Sequence, residues 1–190
     1  MKTSNLHALE KIIREKSTAL GFTPVRIKPE NSGSSVVSIF REEWHLETES
    51  RIPVVPPMLF QMGISMRNHG IRMILFPSPV IISKDNVCAF SRLANVANRY
   101  LYQRTALGSF WVDEATLDFA YEIRLKEEML EFCSEEVAEQ LFDIPWSYFI
   151  NLQTPLSMLA RDIWKEDMAV RFFTELRENG HIHNDDYGLW

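Results

Sequence analysis

Between Leu117 and Leu125 the chain places Leu117, Phe119, Tyr121, Ile123 and Leu125 at every second position, with Asp118, Glu122 and Arg124 among the residues between them. Side chains of an extended chain point alternately to opposite faces, so this spacing predicts a strand with one face in a core and one toward water. A turn at Asp113-Glu114 joins it to Ser109 to Val112, opened by Gly108. The same alternation recurs at Met58, Phe60, Met62, Ile64 and Met66. Asn68-His69-Gly70 then supplies a turn, and Ile71 to Phe76 returns as the partner strand. Two half-buried hairpins imply an antiparallel sheet that needs a cover on one side.

Residues at helical spacing supply that cover. Leu6, Leu9, Ile12, Ile13 and Leu20 form the apolar stripe of an opening helix, with Thr3 to Asn5 as candidate caps and Gly21 at its end. Ser83 and Asp85 are candidate caps for a second helix carrying Phe90, Leu93, Ala94, Ala97, Tyr100 and Leu101 on one face. Ser134 starts a third, with Val137, Ala138, Leu141 and Phe142 inward and a kink or restart at Pro145. Thr154-Pro155 reads as a cap followed by proline at the first position of a last helix, which runs through Leu156, Leu159, Ile163, Phe172, Phe173 and Leu176 to Asn179-Gly180.

Shorter strands are expected at Phe22 to Ile27, interrupted by Pro24, at Ser35 to Phe40, around Trp44, Leu46 and Thr48, and at Val80 to Ile82. Pro53, Pro56 and Pro57 exclude a central strand, and Pro77-Ser78-Pro79 breaks the pairing before the second helix. The fold class is therefore α+β, an antiparallel sheet with helices on one face in the order α-β-β-β-α-β-β-α, plus an extra C-terminal helix. One domain spans 1–180, and 181–190 form a tail or docked arm.

With 12 Phe, 5 Trp and 5 Tyr in 190 residues, the core needs neither disulfide nor metal. A net charge of −6 works against a nucleic-acid backbone as partner. The chain contains no apolar run of about 18 residues and no secretory leader, so no membrane association and a cytoplasmic location are expected. Cys88 and Cys133 sit among apolar neighbours outside any C-x-x-C pair and read as reduced packing residues.

The motifs of chemistry are sparse. Seven glycines form no dinucleotide, phosphate or nucleophile-elbow motif. His181, His183, Asp185 and Asp186 could ligate a divalent ion if the tail were held down, but a solvated tail has no fixed geometry, and the expectation is no metal and no cofactor. His7, His45 and His69 are scattered over a helix, a strand and a turn. Glu127, Glu128 and Glu131, and then Glu135, Glu136 and Glu139, read as a solvated face near a helix start. Met58, Met62 and Met66 are either core or an adaptable binding surface. Trp44, Trp111, Trp146, Trp164 and Trp190 would anchor an interface where exposed.

The run Leu93-Ala94-Asn95-Val96-Ala97-Asn98, then Gly108-Ser109-Phe110-Trp111-Val112-Asp113, then the alternating strand to Leu125 and the helix from Ser134, resembles the YbjN family of bacterial sensory transduction regulators, which is similar in fold to type III secretion chaperones. Asn95 and Asn98 carry the match. Three residues apart, they share a helix face, and their amides can tie the helix to the neighbouring hairpin or to a partner. The resemblance does not extend to Pro53 to Pro57, to Pro145 or to the chain after Pro155. It implies a non-catalytic regulatory or chaperone-like protein that binds another protein or itself as a homodimer, without a cofactor. Asn95, Asn98, Trp111, Met62 and Met66 are the candidate contact residues. Two alternatives remain from the residues themselves: a small-molecule binder or enzyme using a groove between sheet and helices with His45 or His69, and an acidic immunity protein that neutralises a toxin.

Overall fold

The computed structural model describes residues 3–27, 42–50, 57–67, 70–78, 80, 82–103, 105–113, 116–180 and 187. Six antiparallel strands form one sheet: β1 (Thr23–Ile27), β2 (Glu42–Ser50), β3 (Met58–Arg67), β4 (Gly70–Ser78), β5 (Ser109–Asp113) and β6 (Asp118–Lys126), in the order β1-β2-β3-β4-β6-β5. The period-two segments set its register. Leu46 faces Met62, Met62 faces Leu75, Leu75 faces Tyr121 and Tyr121 faces Phe110, so one buried row crosses five strands. A slip by one residue would turn that row toward the other face.

Helices cover the inner face of this sheet. They are α1 (Thr3–Leu20), α2 (Val87–Gln103), α3 (Met129–Phe132), α4 (Ser134–Ala138), α5 (Ile144–Ala160) and α6 (Glu166–Asn179), with a π-helical turn at Glu139–Asp143 between α4 and α5. The protein is thus α+β, with α5 at its centre. Trp146 and Phe149 of α5 lie edge-on to Phe60 of β3 at 5.1 and 5.5 Å, and Phe149 also meets Phe110 at 5.2 Å. On its far side Tyr148 meets Phe173 of α6 at 6.3 Å. The outer face of the sheet is polar along one line, where Arg72 and Arg124 donate to the same Glu122 oxygen at 2.9 and 2.8 Å.

Several local expectations are corrected. Four described strands, not three, separate the first two helices. Pro24 does not prevent β1, because β1 is the sheet edge and a missing amide donor costs little there. β4 continues through Pro77 to Ser78, beyond the point where its pairing with β6 stops at Leu75, so Pro77 also stands where one side of the strand is unpaired. Val80 and Ile82 are not in a strand. Leu117 belongs to the turn, with φ +60°, and the inward series of β6 begins at Phe119. Neither Ser83 nor Asp85 caps α2; the Ser83 amide donates to Asn86 Oδ1 at 2.7 Å, and the helix starts at Val87.

The largest correction concerns Pro155. It lies inside α5 and starts no new helix. Interior proline costs about 3 kcal/mol through its lost hydrogen bond. Burial of Leu152, Leu156 and Leu159 along the same helix, each contributing about 1.5–3 kcal/mol, outweighs it. The break falls at Arg161–Lys165, where Asp162 takes φ +53° and Trp164 is buried, and Glu166 and Asp167 then occupy the first turn of α6. Pro145 stands in the first turn of α5 directly after the π-helical turn, and the backbone stays right-handed helical through Ala138, Asp143 and Ile144, so the chain does not break there. Gly21 and Gly180 end α1 and α6 with φ +75° and +74°, a conformation that favours glycine.

Among the described residues, no helix is long and apolar enough to cross a membrane. The strand expected at Ser35 to Phe40, the prolines Pro53 and Pro56, the turn residues Asn68 and His69, and His181, His183, Asp185 and Asp186 lie outside the described residues. Tyr187 is described and buried, packed on Trp164 at 5.6 Å and Phe172 at 5.0 Å.

Candidate functional site: a cleft between α2 and α6

The amphipathic pattern of α2 buries Phe90, Leu93, Ala94, Val96, Ala97 and Leu101 and leaves the opposite side to water. α6 packs along the boundary between these two sides and leaves a cleft of about 500 Å³. One wall is a line of polar side chains on α2: Arg92, Asn95, Arg99 and Gln103. The other wall is Thr174 and Glu178 of α6, and Val96, Tyr100 and Val170 lie between the walls.

Polar contacts fix the two helices at both ends of the cleft. Arg92 Nη1 donates to Glu166 and, at 3.2 Å, to Asp167, two carboxylates that also complement the positive start of α6. The hydrogen bond it donates to Glu166 is the main reason the guanidinium is held more firmly charged than an isolated one. At the other end Tyr100 donates to Glu178 at 2.8 Å, and its ring packs edge-on against Phe173 at 6.0 Å. Burial, and next the Glu178 carboxylate, push the Tyr100 hydroxyl above its ordinary pKa. Asn95 and Arg99, between these ends, and Gln103, about one turn beyond Tyr100, have no hydrogen-bond or ion-pair partner among the described residues. Arg92 and Tyr100 therefore hold α2 to α6, while the Asn95 and Gln103 amides and the Arg99 guanidinium keep open bonding capacity. Such groups can hydrogen-bond a polar ligand.

The two asparagines separate in the fold. Asn98 turns toward β5: the Phe110 N–H donates to Asn98 Oδ1 at 2.7 Å, and Asn98 Nδ2 donates to the Phe110 carbonyl at 2.9 Å. It ties helix to hairpin. Asn95 is exposed on the cleft. Trp111 is half-buried in β5, where it pairs with Ala120 and points away from the face carrying Phe110, and its indole N–H is buried without a described partner. Met62 and Met66 are 1% and 0% exposed and belong to the core, so the adaptable surface considered for them does not exist.

His7 is exposed on α1, while the side chains of His45 and His69 lie outside those described. Cys88 is exposed, because it falls on the solvent side of α2, and its apolar sequence neighbours do not enclose it. Glu127 is buried rather than solvated, and its carbonyl and the Glu131 carboxylate accept from the buried Asn5 amide at 3.5 and 3.1 Å. Asn5 thus joins α1 to α3. Among the described residues no group of three or more His, Cys, Asp or Glu is placed to hold a metal ion.

Sequence reasoning passed over Arg92, Arg99, Gln103, Thr174 and Glu178. The α2 wall had a signal, R-x-x-N-x-x-x-R-x-x-x-Q at helical spacing; the α6 wall had none. No family model, curated protein or solved structure matches the chain.

Proposed function

We propose that this is a cytoplasmic, non-catalytic protein of regulatory or chaperone-like type, akin to the YbjN family, and that it binds another polypeptide or a second copy of itself without a cofactor. One observation carries this reading: the cleft between α2 and α6 offers Asn95, Arg99 and Gln103 with unused hydrogen-bonding capacity, while Tyr100 and Glu178 are committed to each other. Such a surface grips; it does not move protons. Asn98 is committed to the helix-to-hairpin tie, which leaves Asn95 as the asparagine of the pair that is open to a partner. A small-molecule ligand is the second reading, because the cleft volume lies within the roughly 300–1,000 Å³ of ligand pockets.

Affinity capture of the full chain from its own host, with mass spectrometry of proteins and metabolites and light scattering of the purified chain, tests the proposal. Recovery of one protein in stoichiometric amount, or a concentration-dependent dimer, is expected. A monomer that repeatedly carries a metabolite and no protein would overturn it.

A further inference from the structure

We infer that the α2/α6 cleft binds an extended acidic peptide segment by its main chain, a reading that rests on the polypeptide-binding function above and specifies its ligand. Asn95, Arg99 and Gln103 are each four residues apart, so they rise along the α2 axis at about 6 Å intervals. An extended chain repeats every two residues, at about 6.6–6.8 Å. Each step also turns about 40° around the axis, so the three side chains form an inclined ridge, and an extended chain lying obliquely along that ridge meets them in turn.

The same helix already shows this mode of contact. Asn98, one turn from Asn95, holds both the N–H and the C=O of one extended residue, Phe110, with a single carboxamide. Asn95 and Gln103 carry the same group on the open flank. Arg99, between them, is a cation with no described partner, so the favoured ligand brings a carboxylate about two residues from the one held by Asn95. Alternate side chains of the ligand fall on Val96 and Val170. From Arg92 to Gln103 the wall is about 16 Å long, room for about five extended residues.

The test is selection of a phage-displayed random heptapeptide library on the full chain, followed by fluorescence anisotropy of the enriched peptide. Enrichment of Asp or Glu at one fixed position is expected. Arg99→Glu should weaken that peptide at least tenfold, and Asn95→Ala and Gln103→Ala each several-fold, with unchanged melting temperatures because all three residues are exposed. Replacing the peptide carboxylate by Lys should restore binding to Arg99→Glu. Failure to enrich any peptide, enrichment without an acid, affinity indifferent to Arg99→Glu, or glutamate competing as well as the peptide would each overturn the inference. A captured partner protein whose binding survives Arg99→Glu would sink this inference and leave the broader function standing.

Discussion

Asn98 holds Phe110 by both of its main-chain groups, at 2.7 and 2.9 Å. In an antiparallel strand the N–H and C=O of one residue point to the same side, and β5 is the last strand of the sheet. The asparagine thus occupies part of the open edge as a neighbouring strand would. Unpaired edges invite other chains to add to them, and here the edge is partly closed from α2.

Asn98→Ala removes both bonds and leaves two main-chain groups to find water. A loss of about 1–3 kcal/mol in unfolding free energy is expected. Denaturation with urea measures it, and light scattering should show new concentration-dependent association through the freed β5 edge. Asn95→Ala, exposed on the cleft, should stay within about 0.5 kcal/mol of the parent.

Two glycines should respond oppositely to the same methyl group. A Cβ at Gly108 would lie 2.3 Å from the Tyr121 ring and hydroxyl and 2.8 Å from the Glu122 carbonyl, whereas at Gly63 it would meet nothing within 4 Å. Gly108→Ala should cost about 1–3 kcal/mol or more through overpacking against β6. Gly63→Ala should be neutral or slightly stabilising by thermal denaturation.

Phe149 joins the helical layer to the sheet. Its ring meets Phe60, Phe110 and Phe119 at 5.5, 5.2 and 6.3 Å and is fully buried. Phe149→Ala should lower stability by about 3–5 kcal/mol. Loss of near-ultraviolet circular dichroism before far-ultraviolet signal would show that packing between the layers fails first.

On the outer sheet face Arg72 stands directly opposite Arg124, and Glu122 accepts from both. The hydrogen bond from Arg72 is the main cause holding the Glu122 carboxyl below its ordinary pKa. A group with a lowered folded pKa stabilises above its unfolded value, about 4.3, and that contribution is lost as pH falls through the folded value. Glu122→Gln should therefore cost up to about 1 kcal/mol at pH 7, given the exposure of the arginines, with the difference from the parent closing below about pH 4.

The sheet was legible because strands buried on one face carry a period of two that needs no knowledge of the rest of the chain. Met58 to Met66 and Phe119 to Leu125 illustrate this. α5 was not, because a helix buried on nearly all sides loses the polar stripe that marks its period, and Pro155 then looks like a beginning. Asn98 was readable as a tie to the hairpin. Its distance from Asn95 in function was not, since a three-residue offset is about 60° around a helix, enough to put one amide on β5 and the other in the cleft. The cleft itself depends on Thr174 and Glu178, far along the chain, which only the packing of α6 brings to α2.

The proposed function requires a polypeptide in the α2/α6 cleft. Photo-crosslinking from a benzophenone side chain placed at Gln103, with His7 on α1 as the control position, tests it most directly in the full chain within its host. A covalent adduct carrying a second polypeptide at Gln103 and none at His7 is the predicted result; equal labelling at both positions, or none at Gln103, would contradict it.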